Sequence, residues 1–170
     1  MQFHGAIHQF PKEIKLLILV FVCTLSIGFF GGISFVRDTT NSNPTGIEER
    51  YLGNENDEEA ITMKFKKSSG EVKTMVHNHI LSLSVIFFLI AIILSTTSIN
   101  KKLKLFLIIE PFVSVICTFG GIYLMWSGIL WMKYVIMLSG VLMTITYAAS
   151  IIAILLALKK TENTNSKLVL

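Results

Sequence analysis

Four long apolar runs alternate with polar segments along the chain. The runs cover about residues 16–36, 75–98, 103–125 and 132–158, and each has about the 20 residues that a helix needs to cross a bilayer. Short polar connectors separate the last three runs, so those helices should be antiparallel neighbours. The pattern predicts an all-α integral membrane protein. We expect one domain over residues 1–170, an up-down four-helix bundle with an extracytoplasmic loop, 37–74, between helices 1 and 2.

The composition favours a membrane protein over a soluble or nucleic-acid-binding one. Hydrophobic residues make up 52% of the chain and charged residues only 15%, which is unusual for a soluble domain. The net charge of +4 comes from lysines beside the apolar runs, where they anchor helices at a membrane surface. The first run is longer than the roughly 7–15 residues of a signal-peptide core, so it is interpreted as a helix. The chain has no nucleotide-binding or hydrolase motif, and we expect no enzymatic activity.

The lysines also predict an orientation. The connector between the second and third runs holds Lys101, Lys102 and Lys104, whereas the next connector is followed by Lys133 alone. Because lysines favour the cytoplasmic side, both termini should be cytoplasmic and the loop should lie outside. Aromatic residues typical of a membrane interface flank the second connector: Tyr123, Trp126, Trp131 and Tyr134.

The loop divides into three parts. Residues 39–46 are rich in Asn, Thr and Pro and predict flexible coil. Acidic residues 57–59 precede the basic residues of 64–67, the charge order that a helix dipole favours, so a short helix with Ile61 and Phe65 on one face is one interpretation. A solvated connector is the other. Ser68 and Glu71 match a capping box, which predicts that the second helix begins near Ser68, before the bilayer.

Two histidines, His77 and His79, lie where the loop meets the second apolar run. Imidazole binds metals and haem iron, so both are candidate ligands for haem b or a transition metal. Residues two positions apart on a helix point about 200° apart, so helical histidines would need a second ligand from elsewhere. Candidates are a loop carboxylate, a partner subunit or one of four methionines: Met63, Met75, Met125 and Met132. An extended segment would let both bind one ion. The alternative is that they are interfacial residues that tie the loop to the bundle by hydrogen bonds.

Glu110 and Pro111 form a second candidate site. Glu110 lies about 10 Å along the third helix from Leu103, and an ionisable residue inside a span is a candidate functional group. Pro111 frees the carbonyl of Leu107 and should kink the helix. Under the alternative, the helix begins near Pro111 and Glu110 pairs with a lysine at the membrane surface.

Small residues and cysteines favour packing roles. Cys23 and Cys117 lie inside predicted spans, and we expect them to be buried thiols without a disulfide. Glycines within the spans should allow close helix approach: Gly28, Gly31, Gly32, Gly120, Gly121 and Gly140. Further small packing surfaces are expected from Ser139, Ala148, Ala149 and Ser150.

Three stretches carry a resemblance to a known group of proteins. They are Tyr51 to Asn54, Met63 to Ser68, and His77 to Leu83 followed by Phe87 and Phe88. About a quarter of the chain thereby resembles small bacterial four-span membrane proteins without an assigned activity. The resemblance implies a bacterial inner membrane and an outward-facing loop, and it implies no catalytic residue. The topology is also similar to that of claudins and tetraspanins, but their loop cysteines are absent.

Two functions follow from these features. The first is a non-catalytic subunit, accessory to a respiratory complex or to its assembly, whose outer histidines bind haem, metal or a partner. The second is a small transporter or ion-coupled component that uses Glu110. The expected partners are the lipid bilayer and either other membrane subunits or further copies of the chain, and not nucleic acid.

Overall fold

The computed structural model describes residues 6–55, 57 and 62–166, without the side chains of His8 and residues 160–166. Helices dominate the described residues. In chain order the elements are a 3-10 turn Ile7–Gln9, α1 Lys12–Thr40, α2 Pro44–Leu52, α3 Ser69–Ser95, α4 Lys101–Val115, a π-helical turn Ile116–Gly120, α5 Gly121–Trp126 and α6 Met132–Ser166.

Four helical segments are long and apolar enough to cross a membrane: Lys12–Thr40, Ser69–Ser95, Lys101–Trp126 and Met132–Lys159. The predicted four-helix membrane bundle is therefore confirmed. Residues 96–100 form a tight turn between α3 and α4, and we call this side of the bundle the hinge end. The opposite side carries residues 41–55, 57, 62–68 and 127–131, and we call it the loop end.

The predicted capping box sets the start of α3. The Ser68 hydroxyl accepts a hydrogen bond from the Glu71 amide at 3.3 Å, and the Glu71 carboxylate accepts one from the Ser68 amide at 2.8 Å. Each interaction satisfies a backbone donor that the first helical turn leaves unpaired. The prediction of a helix start near Ser68 is confirmed.

The predicted coil over residues 39–46 is wrong. Helix α1 continues to Thr40, and α2 begins only four residues later at Pro44. Asn43 caps α2, because its side chain accepts a hydrogen bond from the Gly46 amide at 2.6 Å, and Pro44 suits the first helical turn. A Cβ on Gly46 would lie 1.9 Å from the Thr40 carbonyl oxygen, so only glycine permits this close turn between α1 and α2.

The predicted helix in the second half of the loop is not present over its described part. Residues 62–68 are not helical, and Ile61, with residues 56 and 58–60, lies outside the described residues. The Asn54 side chain bonds to the backbone of Thr62 and Lys64, and the Lys67 amide donates to the Tyr51 carbonyl at 3.0 Å. These bonds to the end of α2 satisfy backbone groups that a helix would use internally.

Helix α1 contacts the bundle along one narrow face. Phe29 stacks on Tyr147 of α6 with ring centroids 3.8 Å apart, and the Ser26 and Tyr147 hydroxyls lie 3.1 Å apart. Much of the remaining α1 surface is exposed, Cys23 included, so the expectation that this thiol is buried is wrong. Cys117 is half-buried, and both cysteines are free.

The predicted role of the glycines is correct at one of the six positions within this chain. A Cβ on Gly121 would meet the Ile136 side chain at 3.0 Å, so this glycine lets α5 approach α6. A Cβ at each of the other five would meet no atom within 4 Å: Gly28, Gly31, Gly32, Gly120 and Gly140.

Candidate functional site

Glu110 lies inside a continuous helix, so the alternative that the third helix begins near Pro111 is wrong. Helix α4 starts at Lys101, and Asn100 caps it by accepting from the Lys102 amide at 2.9 Å. Glu110 is buried, with 7% of its surface exposed. Its carboxyl oxygens contact hydroxyl groups and not the lysine that the alternative required.

Hydroxyls from two helices bind the Glu110 carboxyl group. Ser114, one turn further along α4, donates to Oε1, and Thr146 of α6 donates to Oε2. Ser114 and Thr146 are themselves buried, with 2% and 1% of their surfaces exposed. The carboxyl therefore joins α4 to α6 in the apolar interior of the bundle, where a polar group without partners would be costly.

Further hydroxyls continue this polar feature along both helices. Glu110, Ser114 and Thr118 are spaced four residues apart on α4 and the π-helical turn, so they share one face. Thr118 and Ser139 of α6 are buried, and their hydroxyl oxygens lie 2.7 Å apart. We call the following residues, which lie at the contact of α4 and the π-helical turn with α6, the polar row: Glu110, Ser114, Thr118, Ser139, Thr146 and Ser150.

The Thr146 hydroxyl has one proton to donate and three acceptor oxygens within reach. Its oxygen contacts Glu110 Oε2 and also lies 3.0 Å from the Leu142 carbonyl oxygen and 3.1 Å from that of Met143. A hydroxyl donates one hydrogen bond and accepts others. The Thr146 hydroxyl can therefore donate either to Glu110 or to a carbonyl of its own helix.

Ser150 extends the polar row toward the hinge end. It lies one turn beyond Thr146 on α6 and has 1% of its surface exposed. Its hydroxyl is the one buried side-chain polar atom among the described residues that lacks a hydrogen-bond partner. Burying such a group without a partner costs about 1–3 kcal/mol.

The helix around the polar row is irregular. Pro111 follows Glu110 directly and has no backbone donor for the Leu107 carbonyl. Five residues later the chain forms the π-helical turn Ile116–Gly120, which contains Thr118. Single π-helical turns within α-helices frequently occur at functional sites, and this one lies at the loop-end limit of the polar row.

The two candidate histidines lie on the exposed surface of α3. Because α3 is regular there, His77 and His79 point in different directions and cannot bind one ion together. The His79 ring stacks on Phe119 with centroids 4.7 Å apart, and its Nδ1 lies 2.8 Å from the Met75 carbonyl oxygen. His79 thus contacts the π-helical turn, next to Thr118, without contacting Glu110.

The described residues contain no group of three or more His, Cys, Asp or Glu side chains that could hold a metal ion. Among the methionines considered as second ligands, Met125 is fully buried and Met132 is 9% exposed, whereas Met63 is exposed. Binding of haem or metal by the histidines therefore remains a prediction from the sequence.

Helix α2 and the end of the loop pack over the loop end of the bundle. Glu48 forms an ion pair with Lys133 of α6, and the Trp126 ring nitrogen donates to the Lys67 carbonyl at 2.9 Å. Burial raises the pKa of the Tyr51 hydroxyl above its ordinary value, while the neighbouring Arg50 acts in the opposite direction. These contacts attach the loop to the bundle.

Sequence reasoning identified Glu110 but missed its hydroxyl partners. Ser139 and Ser150 were interpreted as small packing residues, and Ser114, Thr118 and Thr146 were not singled out. The sequence does contain a signal for two of these partners, because Ser114 and Thr118 follow Glu110 at intervals of four residues and so share its helix face. The partner helix and its register required the tertiary structure.

The fold and the polar row define a multi-span integral membrane protein with an ionisable group inside its helical bundle. More particularly, the chain belongs to the family of the Aq_1264_TM transmembrane helical domain, whose sequence model matches residues 41–165. The match begins directly after α1, which ends at Thr40. No curated protein matches the chain, and no solved structure does.

Proposed function

We propose that the protein is a non-catalytic, ion-coupled membrane component in which Glu110 binds and releases a proton or another monovalent cation. The observation that carries the proposal is the burial of this carboxyl group between α4 and α6, with a hydroxyl from each helix on its two oxygens. Ionisable residues within spans commonly mark ion pathways. The family match supports the membrane setting of this role.

The two hydrogen bonds to Glu110 offset the cost of placing a charged carboxylate inside the bundle. Placing a charged carboxylate at the centre of a helix in a bilayer costs about 2.5–3.5 kcal/mol on insertion scales. Hydrogen bonds to charged groups each contribute about 1.5–3 kcal/mol, and Glu110 accepts one from Ser114 and one from Thr146. Together the two bonds contribute about 3–6 kcal/mol, which matches or exceeds that cost and supports a role for Glu110 as an ion-binding carboxylate.

The donor set favours a monovalent ion. Glu110 provides one negative charge, and its partners Ser114 and Thr146 are neutral hydroxyls. Divalent cations in proteins usually bind several carboxylates or histidines, and the described residues contain no such cluster. A proton, or an ion such as Na⁺ with oxygen ligands, matches the charge of this site.

Ion flux in reconstituted vesicles tests the proposal. Vesicles that contain the protein should dissipate a proton or Na⁺ gradient faster than empty vesicles, and Glu110→Gln should remove the difference because it cannot ionise. Glu13→Gln is the matched control, since Glu13 lies exposed in the first turn of α1. Equal flux through the wild type and Glu110→Gln would refute ion coupling at this residue.

A second candidate function is an accessory subunit of a respiratory or assembly complex that binds haem b, a metal or a partner at His77 and His79. It is supported by the position of His79, whose ring is held by Phe119 and whose Nδ1 contacts the Met75 carbonyl, so a ligand would bind Nε2. Other membrane subunits or a second copy of the chain would then provide the missing ligand.

Absorbance spectra and metal analysis of the purified protein test this second candidate. His77→Ala or His79→Ala should abolish the bound cofactor while the protein remains in the membrane, and Glu110→Ala should leave the cofactor bound. Unchanged spectra and metal content in both histidine variants would refute cofactor binding by these residues. Their role would then be structural, as contacts between the loop and the bundle.

We also propose a bacterial inner-membrane location with both termini in the cytoplasm and the loop end outside. The lysines of the hinge end support this orientation, since Lys101, Lys102 and Lys104 all belong to the first turn of α4. The resemblance to small bacterial four-span proteins supports the location.

A further inference from the structure

We propose that the hinge end of the bundle is a binding surface for the headgroups of anionic phospholipids. Exposed lysines at the start of α1, in the first turn of α4 and near the end of α6 form this surface: Lys12, Lys101, Lys102 and Lys159. The lipid phosphates neutralise their charge. Glu110 takes no part in this interaction, which adds a lipid class to the partners of the protein.

The two ends of the bundle differ in charge. The loop residues 37–74 together with Lys133 hold seven basic and eight acidic residues. The segments that flank the opposite ends of the spans, 12–15, 101–104 and 159–167, hold eight basic and two acidic residues. The positive net charge of the chain therefore comes from the hinge-end segments, and a surface of this kind attracts anionic lipids.

Lysines at the two ends also differ in their partners. Three lysines of the loop end form ion pairs with glutamates: Lys64 with Glu49, Lys67 with Glu71 and Lys133 with Glu48. The four lysines of the proposed surface form no ion pair with any residue that the structure describes. Anionic groups outside the chain are therefore well placed to balance their charge.

Contacts at the hinge end hold the basic segments together. The Ile7 amide donates to the Thr96 carbonyl at 3.0 Å, and the 3-10 turn that contains Ile7 contacts α6. This turn places the start of α1 beside the connection between α3 and α4. Lys104 donates to the carbonyls of Ser95, at 3.1 Å, and Thr97 at the end of α3. Its ammonium group is thus engaged within the chain, whereas Lys101 and Lys102 are exposed.

The position of Lys101 and Lys102 in the helix is unfavourable without an anion. Both lie in the first turn of α4, where the helix dipole is positive and repels cations. Asn100 already caps this turn by accepting from the Lys102 amide at 2.9 Å. The two lysines therefore do not stabilise the helix by themselves, and an anionic headgroup beside them would offset the repulsion.

The basic side chains border apolar surface that faces lipid. Exposed Leu103 and Leu105 follow the two lysines of α4, and exposed Leu16 follows Lys12 on α1. On α6, exposed Leu156 precedes Lys159 by one turn. A lysine at the edge of such a surface reaches the phosphate level while its aliphatic stem stays on apolar atoms. A phospholipid can thus place its acyl chains on the leucines and its phosphate on the lysines.

Quenching of tryptophan fluorescence by brominated lipids tests each end of the bundle separately. The two native tryptophans, Trp126 and Trp131, lie at the loop end, so the wild-type protein reports the lipids there. A Phe106→Trp reporter, with both native tryptophans replaced by phenylalanine, reports the hinge end because Phe106 is exposed one turn beyond Lys102. Each protein is placed in phosphatidylcholine vesicles that contain either brominated phosphatidylglycerol or brominated phosphatidylcholine.

The anionic lipid should be preferred at the hinge end. We expect the ratio of affinities for phosphatidylglycerol and phosphatidylcholine to be at least about fivefold higher there than at the loop end, which is about the contribution of one lysine near a membrane surface. Lys101→Gln combined with Lys102→Gln should lower the hinge-end ratio at least about fivefold. Added NaCl should lower it as well, because salt screens exposed charges.

A matched control removes the same charge from the loop end. Arg37→Gln combined with Lys73→Gln replaces two exposed cations of that end and should leave the hinge-end ratio unchanged. Inorganic phosphate should lower the hinge-end ratio no more than NaCl at the same ionic strength, since the lysines bind a phosphate that the bilayer holds in place.

Four outcomes would overturn the proposal. Equal ratios at the two ends, or an unchanged hinge-end ratio in the double lysine variant, would show that these lysines do not select lipids. A Phe106→Trp reporter that neither brominated lipid quenches would show that protein covers this surface. Displacement of the lipid by inorganic phosphate beyond the effect of NaCl would assign the lysines to a free anion. None of these results bears on ion coupling at Glu110, which the flux assay tests separately.

Discussion

Replacing Thr146 by valine tests the hydroxyl that binds Glu110 to α6. Valine keeps the shape of the side chain but removes the donor to the carboxyl oxygen, while the Leu142 and Met143 carbonyls keep their helical bonds. Hydrogen bonds between membrane helices contribute about 0.6 kcal/mol on average and up to about 1.7, and an unsatisfied buried acceptor costs about 1–3 kcal/mol. We therefore expect the free energy of unfolding to fall by about 1–3 kcal/mol.

A double-mutant cycle shows whether the loss belongs to this pair. In the Glu110→Leu background, Thr146→Val should cost less than about 0.5 kcal/mol, because the carboxyl group that it serves is gone. Reversible unfolding in mixed micelles with a denaturing detergent provides the free energies. Thr144→Val, which removes a hydroxyl bonded only within α6, should stay within about 0.5 kcal/mol of the wild type. Equal costs of Thr146→Val in both backgrounds would refute the proposed interaction.

Three further predictions concern the loop and the orientation. Gly46→Ala should destabilise the protein by more than about 2 kcal/mol in the same assay, since its Cβ would overlap the Thr40 carbonyl oxygen; a wild-type stability would contradict the tight turn. Ser68→Ala should cost about 1 kcal/mol and increase amide exchange in the first turn of α3, whereas Ser69→Ala should not. A reporter fused after Leu158 should be active in the cytoplasm, and activity only outside the cell would overturn the proposed topology.

The sequence alone predicted the features that depend on neighbouring residues. The four spans follow from the length of the apolar runs, because the cost of exposing a backbone to lipid requires helices of bilayer length. The start of α3 follows from Ser68 and Glu71, which satisfy each other's backbone donors three residues apart. The cap of α2 was also readable, since Asn43 precedes Pro44, but the polar composition of that segment suggested coil instead.

The tertiary structure decided which contacts form between residues that are far apart in the sequence. Residues 62–68 are not helical, because Asn54 and Tyr51 supply their hydrogen-bond partners, and these partners lie at and just after the end of α2. Likewise, the sequence marked Glu110 as unusual, but its surroundings depend on the register of α4 against α6, which brings Thr146 to its carboxyl group over a separation of 36 residues. The length of an apolar run fixes which residues lie inside a span, whereas the energy of a buried carboxyl depends on which hydroxyls the packed neighbour presents to it.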